Sequence, residues 1–533
     1  MKIKQLFAIA VLAALCLPTR AQIFGTNTGT FVDFLRSYPT DSVPLRYPGQ
    51  IQQAYNPAPA GTVTGFAPII TGDAGIFSST ANYPSGSGYT LNFTAPNPTA
   101  IATSLSGIFS NLTNVQINGN HYSANFTLTH GPGGRLTGGA EIDFTGATAV
   151  NPISNVSVIQ PGGTLNGMTS SYAGYLNSYE AVRWMNNNNI NNNSAPISAT
   201  DLLPGGQNIG SNGNSFDDII TWSNQQTNLK KVWINIPVNA GDSYVKAVAD
   251  KFAAKLSPGK QVVLEYGNEN WNTAFTHPQW ILAQAKTDPR VTATDDYTRT
   301  SQEAGLLSAH VMQIFQNEFT DKTRVAGFLG SQGAGSYFVD QEKLAINRVF
   351  GANAVSSLYK YQGIGFYPAD NLASANSVDQ VISALNGDLV RQKQYLAADK
   401  ADATASGLSE AVYEWSPNGY LTQGGVPQAV VDAFRADPRA KQWTLDEWNA
   451  ISSILGPNDM AMEFSVVGDG WSAQINPLLA HEYEQQAIDQ ISASLAITGP
   501  LAPEPASLSL IGLTGMLLMA RHRRAVKAAL PEA

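Results

Sequence analysis

The chain has 533 residues, of which 43% are hydrophobic and only 13% are charged, and its formal net charge is -9. This apolar content excludes global disorder, and the length suits two or three domains. An acidic chain without a basic stripe argues against nucleic acid as a partner. The only cysteine is Cys16, and six scattered histidines show no HxH or HExxH spacing, so we expect no metal and no cofactor.

The N-terminus has the pattern of a secretory signal peptide. Lys2 and Lys4 precede an apolar run over residues 6–17, and Ala21 ends a small-x-small motif. The run is short for a membrane-spanning helix, which needs about 20 apolar residues. We therefore predict cleavage by signal peptidase after residues 1–21, with a permanent N-terminal anchor as the alternative. Because Cys16 lies inside this segment, the mature chain is expected to have neither disulfides nor thiol chemistry.

The C-terminus has an equally ordered pattern. Pro503, Glu504 and Pro505 precede an apolar stretch over residues 508–520, and a basic cluster begins at Arg521. Basic residues after a short apolar span remain on the cytoplasmic side of a membrane. Residues 503–524 resemble a PEP-CTERM sorting signal, which implies recognition by an exosortase; residues 491–502 form a linker and 525–533 an extension. The alternative is a plain membrane anchor, and both interpretations predict an exported, envelope-associated or extracellular protein.

Residues 46–165 are rich in Gly, Thr, Ser, Asn and Pro, and short alternating runs interrupt them. These runs cover residues 89–93, 124–128 and 156–159. Alternation separated by turn residues favours a β-sandwich.

Residues 166–490 instead alternate apolar runs with helical patterns. The predicted strands cover residues 182–185, 231–237, 261–266, 324–329, 364–367, 411–414 and 462–467. With a first strand near 23–27, inside the segment 22–45, there are eight. The pattern predicts a (β/α)8 barrel with the sandwich inserted after its first strand.

The sharpest chemical signal is the segment 265–272, Glu-Tyr-Gly-Asn-Glu-Asn-Trp-Asn. Asn268 and Glu269 follow an apolar strand, and barrel enzymes carry their active sites at the carboxyl ends of strands. A partly desolvated carboxyl group at such a position suits a general acid. Asn268 could hold a sugar hydroxyl and Trp271 could stack on a sugar ring. The alternative is that Glu269 only caps the next helix.

A second carboxylate, Glu414, ends the predicted strand 411–414. Two carboxylates from different strand ends can flank one glycosidic bond, one as acid and one as nucleophile or base. We interpret Glu265 as a residue of the barrel interior. The rivals are Glu410, which precedes the strand, Glu447, expected on a helix surface, and Glu463, expected to begin the last strand.

With these motifs, residues 179–475 resemble the clan A glycoside hydrolases, which are retaining (β/α)8 enzymes with Asn-Glu ending strand four and Glu ending strand seven. The resemblance implies Glu269 as acid/base and Glu414 as nucleophile. It also implies an arginine that supports the nucleophile, a nearby tyrosine and an aromatic subsite floor; these match Arg183, Tyr367 and Trp471.

This chain departs from the clan pattern at two places. Many members carry a histidine near the end of strand three, where this chain has the stretch 236–239, Ile-Pro-Val-Asn. Small residues usually follow the nucleophile, whereas Trp415 follows Glu414 here; we count Trp415 among the substrate-binding residues. The predicted function is a retaining hydrolase with a polysaccharide or oligosaccharide partner. Two alternatives remain open: a non-catalytic protein that binds or organises exopolysaccharide, and a sandwich that is itself the binding module.

Overall fold

The computed structural model describes residues 22–27, 42–43, 63–64, 86–107, 109–129, 140–147, 150–151, 153–159, 161, 170–185, 190–192, 195–202, 215–368, 372–416, 421, 424–465, 473–474 and 481–495. The N-terminal segment and the C-terminal tail predicted from the sequence lie outside these residues. Within the described ranges, no helix has the length and apolar character needed to cross a membrane.

The strands, in chain order, are β1 (Gln22–Asn27), β2 (Ser42–Val43), β3 (Val63–Thr64), β4 (Gly86–Thr94), β5 (Ala102–Gly107), β6 (Phe109–Asn118), β7 (His121–Leu128), β8 (Ala140–Ala147), β9 (Ser154–Ile159), β10 (Ala181–Trp184), β11 (Lys231–Ile236), β12 (Gln261–Tyr266), β13 (Val325–Gly330), β14 (Tyr359–Gly363), β15 (Gly365–Phe366), β16 (Ser409–Trp415) and β17 (Asp459–Glu463).

The helices are α1 (Ser170–Leu176), α2 (Phe216–Gln225), α3 (Asp242–Lys255), α4 (His277–Ala285), α5 (Asp296–Glu318), α6 (Tyr337–Phe350), α7 (Ala354–Leu358), α8 (Val378–Ala405), α9 (Gln428–Arg435), α10 (Pro438–Ser452) and α11 (Tyr483–Ser494). Side chains cap several of them; Asp295, for example, accepts a hydrogen bond from the backbone N–H of Thr298 at the start of α5.

Nine parallel strands form one closed sheet. Its order is β14-β13-β12-β11-β10-β1-β17-β16-β15, and β14 also pairs with β16. Since β14 and β15 are two parts of one position, the sheet has eight positions with helices between them. The predicted (β/α)8 barrel is confirmed, with β12 as its fourth strand and β16 as its seventh.

Buried side chains fill both sides of the barrel wall. An inner cluster includes Trp233, Phe328, Tyr361 and Met462. A larger outer cluster joins strand residues such as Val232 to helix residues such as Phe252. Strands buried on both faces are nearly continuously apolar, which explains runs such as Gln261–Tyr266.

Between β1 and β10 the chain forms two antiparallel sheets, with the orders β2-β9-β4-β7-β6 and β3-β8-β5. Apolar side chains from both sheets form one core, in which Phe93 of β4 packs edge-on against Phe144 of β8. The alternating burial of β7 matches the alternation in its sequence. The full extent of the predicted sandwich, residues 46–165, stays a prediction.

Candidate active site

Arg183 lies at the centre of the site, on the second barrel strand β10, and its side chain is completely buried. Its guanidinium donates two hydrogen bonds of 2.9 Å to Glu265, one of 2.6 Å to Glu414 and one of 2.8 Å to Asn268 Oδ1. The fifth N–H points to the sulfur of Met185 at 3.3 Å. Because a guanidinium has five N–H donors, Arg183 fixes all of these groups in a single arrangement.

Two aromatic rings flank the guanidinium. Its central carbon lies 5.3 Å from the ring centre of Trp233 and 5.4 Å from that of Tyr413. The Trp233 indole N–H also donates to Glu265 at 2.9 Å. Cation–π contacts in a desolvated setting add to the attraction of the carboxylates, so the arginine stays charged and immobile.

Glu414, at the end of the seventh barrel strand, accepts one hydrogen bond on each carboxyl oxygen. Arg183 Nη1 donates to Oε1 at 2.6 Å and the Tyr367 hydroxyl donates to Oε2 at 2.6 Å. Burial raises the pKa of Glu414 to about 7, although Arg183 and the Tyr367 hydrogen bond oppose this effect. The carboxylate is therefore held in place and loses its proton close to neutral pH.

A bulge in β16 turns two consecutive side chains towards the site. Val412 pairs with Ala461 and Trp415 pairs with Glu463. The pairing therefore advances by three residues along β16 but by two along β17, which leaves one extra residue on β16. As a result Tyr413 packs in the inner cluster while the adjacent Glu414 reaches Arg183. Sequence reasoning missed Tyr413, since simple strand alternation would place neighbouring residues on opposite faces.

Glu269 sits on a sharp turn after the fourth barrel strand, with φ of 47°, and Gly267 has φ of 69°. The turn is closed by the Asn270 side chain, which donates to the Tyr266 carbonyl at 2.9 Å. A non-glycine residue in the left-handed region is uncommon and is often found at functional sites. The turn directs Glu269 to Tyr413, whose hydroxyl donates to Glu269 Oε1 at 2.9 Å.

The second oxygen of Glu269 accepts a hydrogen bond of 2.8 Å from Asn272 Nδ2. Thus Glu269 and Glu414 have separate partners, and Tyr413 and Glu414 are consecutive in the chain. Glu269 also acts on Glu414 electrostatically, since its charge contributes to the raised pKa of Glu414. The two carboxyl groups lie in one site at the carboxyl ends of the fourth and seventh strands.

The structure brings together five of the residues that the sequence singled out: Arg183, Asn268, Glu269, Tyr367 and Glu414. Asn268, expected to hold a sugar hydroxyl, is buried; it accepts from Arg183 and donates to Asn191 Oδ1 at 2.9 Å. Much of its hydrogen-bonding capacity therefore serves to position other residues.

The three tryptophans expected to contact substrate have different positions. Trp271 is half-buried beside Tyr413, with ring centres 6.4 Å apart. Trp415 is a correction: it is fully buried outside the barrel wall, against Phe24 and Trp448, and cannot stack on a sugar there. The bulge explains this placement, because the residue after Glu414 points away from the site. Trp471 lies outside the described residues.

The other glutamates considered from the sequence are all buried, and Glu410 lies within β16 instead of before it. Glu265 lies inside the barrel, as expected, and pairs with Arg183. Glu447 is fully buried in α10, which corrects the expected surface position. Glu463 ends the last strand instead of beginning it, and the Tyr179 hydroxyl donates to it at 3.2 Å.

Comparisons with solved structures find barrels of glycoside hydrolases. One is a 4-O-α-L-rhamnosyl-β-D-glucuronidase from Fusarium oxysporum, 14% identical, with a TM-score of 0.39; the match covers 61% of this chain and 64% of that one. Another is a family 51 α-L-arabinofuranosidase from Bifidobacterium longum, 12% identical, with a TM-score of 0.40 and coverage of 62% and 67%. A third is an endo-1,4-β-D-xylanase from Clostridium thermocellum, 10% identical, with a TM-score of 0.33 and coverage of 79% and 86%.

At these identities and TM-scores the likeness does not assign an activity to this chain. No protein-family profile and no curated protein matches the sequence.

Proposed function

We propose that this protein is a retaining glycoside hydrolase that acts on polysaccharide, with Glu414 as nucleophile and Glu269 as acid/base. The main support is the hydrogen bonding of the Glu414 carboxyl group. One of its oxygens accepts a hydrogen bond from Arg183, and the other accepts one from the Tyr367 hydroxyl. This arrangement aligns a carboxylate and stabilises its charged form, as a nucleophile needs.

In the first step, Glu414 attacks the anomeric carbon while Glu269 protonates the departing glycosidic oxygen. The carbon–oxygen bond breaks, its electron pair leaves with the oxygen, and a covalent glycosyl–Glu414 ester forms. In the second step, Glu269 takes a proton from water, which attacks the same carbon and releases Glu414. Arg183 and Tyr367 stabilise the carboxylate at the start and the end of this cycle.

The test is a hydrolysis screen with the chain from residue 22 to 500, on a panel of soluble polysaccharides and aryl glycosides. Glu269→Gln and Glu414→Gln should each reduce release of sugar at least about 1,000-fold. Glu318→Gln is the matched control, since this half-buried carboxylate ends α5 and pairs with Lys246 at the opposite end of the barrel. Full activity in either site variant would refute the assignment.

The stereochemistry distinguishes retaining from inverting action. Proton NMR of the first sugar released should show the anomeric configuration of the substrate. Azide added to Glu269→Ala should restore turnover of an aryl glycoside and yield a glycosyl azide of retained configuration. A product of inverted configuration would mean that Glu414 activates water instead of attacking the sugar.

We propose in addition that the protein is exported and associated with the cell envelope. This proposal is supported by the charge and hydropathy pattern at both ends of the sequence, residues 1–21 and 503–524. Mass spectrometry of the protein recovered from cell fractions gives the mature termini. An N-terminus at Met1 in a cytoplasmic fraction would contradict it.

A further inference from the structure

Two part-exposed tyrosines pack against each other at the rim of the barrel. Tyr297 is 41% exposed and Tyr337 is 52% exposed, whereas most large aromatic side chains in the described part of the chain are buried. Their rings are nearly parallel, with centres 6.2 Å apart and planes inclined by 16°. We call Tyr297 and Tyr337 the tyrosine platform.

Hydrogen bonds hold the tyrosine platform in this arrangement. The Tyr297 hydroxyl donates to Gln332 Oε1 at 3.3 Å, and the Tyr337 hydroxyl lies 2.9 Å from Thr298 Oγ1. Phe338 supports the Tyr297 ring edge-on from below, with ring centres 5.5 Å apart. Exposed rings that are already immobile lose little conformational entropy when a ligand stacks on them.

The tyrosine platform is continuous with the catalytic site. Tyr297 and Tyr337 begin the helices that follow the fourth and fifth barrel strands, so they lie on the same face as Glu269. A chain of ring contacts leads inwards from Tyr297 through Phe338 to Trp271 at 6.0 Å, and from Trp271 to Tyr413 at 6.4 Å. The Tyr413 hydroxyl in turn donates a hydrogen bond to Glu269.

The surrounding charge favours an uncharged ligand. The segment between α4 and the first turn of α5 carries three basic residues, Lys286, Arg290 and Arg299, and three acidic residues, Asp288, Asp295 and Asp296. Arg290 pairs with Asp288 at 2.6 Å and Lys286 pairs with Asp296 at 3.2 Å. This balanced surface would not attract a polyanion, whereas the apolar faces of neutral sugar rings can stack on tyrosine.

We infer that the tyrosine platform binds the leaving-group end of a neutral polysaccharide chain, several sugar units from the bond that is cut. This inference rests on the proposed function, in which Glu269 protonates the leaving oxygen. The platform lies beyond Glu269 on the side of the fourth and fifth strands, away from Glu414 on the seventh.

The test compares a polysaccharide with an aryl glycoside of the same sugar, both taken from the substrates that the unaltered chain hydrolyses. In the double variant Tyr297→Ala/Tyr337→Ala, KM for the polysaccharide should rise about tenfold, and kcat/KM for the aryl glycoside should change less than about twofold. Leu344→Ala is the control, because Leu344 is 59% exposed on the same helix as Tyr337. The double variant should still unfold in one cooperative transition, at a temperature somewhat below that of the unaltered chain because both rings are partly buried.

Unchanged kinetics on both substrates would overturn the inference, and so would an equal loss on both. A platform that serves self-association would also overturn it; the double variant would then change the sedimentation coefficient but not the KM for the polysaccharide.

If the unaltered chain hydrolyses nothing, the proposed function fails while the binding site can still be tested. Electrophoresis in gels that contain xylan, mixed-linkage β-glucan or arabinan would then show retardation of the unaltered chain and of Leu344→Ala. Loss of this retardation in the double variant would support carbohydrate binding at the tyrosine platform. Equal migration of all the proteins in every gel would refute it.

Discussion

At the scale of single residues, the site consists of one buried cation shared between carboxylates. The side chain of Arg183 is fully buried and forms ion pairs with both Glu265 and Glu414. Removing one partner from a buried ion pair costs about 3–5 kcal/mol, because the other charge remains desolvated. Glu265 therefore anchors Arg183, so that the hydrogen bond from Arg183 to Glu414 keeps its direction.

The raised pKa of Glu414 leads to a pH prediction. In the proposed mechanism Glu414 attacks only when ionised, and its pKa is about 7, so kcat/KM should fall about tenfold per pH unit below 7. Tyr367→Phe removes a hydrogen bond that favours the charged form of Glu414. The substitution should therefore move the acidic side of the pH profile of kcat/KM to higher pH. Tyr395→Phe, on the outer helix α8, is the control. If the acidic side of the profile stays at the same pH in Tyr367→Phe, a group other than Glu414 controls it.

At the scale of elements, the sequence predicted most barrel strands because buried parallel strands are long apolar runs. The strand predicted at 261–266 is β12 itself, and Glu269 follows it as expected. Two strands were predicted only in part: the range 364–367 covers β15 but not β14, and the range 462–467 overlaps only the end of the last strand. The sixth strand begins at Tyr359, in a stretch where Lys360 and Gln362 break the apolar run, and the apolar signal starts only near Ile364.

The last strand was predicted at 462–467 but spans Asp459–Glu463. Its first residue, Asp459, is buried because it accepts hydrogen bonds from Lys400 and from the backbone N–H of Glu410. These partners are distant in sequence, so local polarity could not reveal a strand there. The bulge in β16 is hidden for the same reason: its register depends on β17.

The turn that presents Glu269 provides a prediction at this scale. A Cβ at Gly267 would lie 2.1 Å from Asn270 Oδ1 and 2.9 Å from Val238 Cγ1. Gly267→Ala should therefore reduce the free energy of unfolding by about 1–3 kcal/mol and should lower kcat, since Glu269 moves. Gly259→Ala is the control, because no atom lies within 4 Å of its Cβ position. Denaturant unfolding and steady-state kinetics measure both effects; wild-type kcat in Gly267→Ala would contradict the role of the turn.

At the scale of the whole molecule, the apolar side chains divide into separate cores. Among the residues that the structure describes, the core of the two antiparallel sheets shares no member with the cores inside and outside the barrel wall. The sheets lie in the chain between the first and second barrel strands, so the barrel closes by pairing β1 with β10 across this long insertion. The proposed catalytic residues, Glu269 and Glu414, both belong to the barrel segment of the chain, and the barrel's stability therefore decides whether the site persists.

That stability should depend on buried carboxyl groups. Burial raises the pKa of Glu447 well above its ordinary value of 4.5, and the nearby Glu484 and Glu463 raise it further. Neither carboxyl oxygen of Glu447 has a hydrogen-bond partner among the described residues. The folded protein keeps the proton of the Glu447 carboxyl group to a higher pH than the unfolded chain does. The contribution of this group to the free energy of unfolding is therefore complete below pH 4.5. It decreases by about 1.4 kcal/mol per pH unit as the pH rises towards the folded pKa.

Glu447→Gln tests this dependence, because glutamine has a similar volume and no charge to lose. Calorimetric melting temperatures of the unaltered chain should fall between pH 5 and pH 8, and the fall should be smaller in Glu447→Gln. Glu318→Gln, at a half-buried and ion-paired position, should leave the slope unchanged. Parallel curves for Glu447→Gln and the unaltered chain would show that Glu447 is already ionised in the folded barrel, which would require a compensating cation beside it.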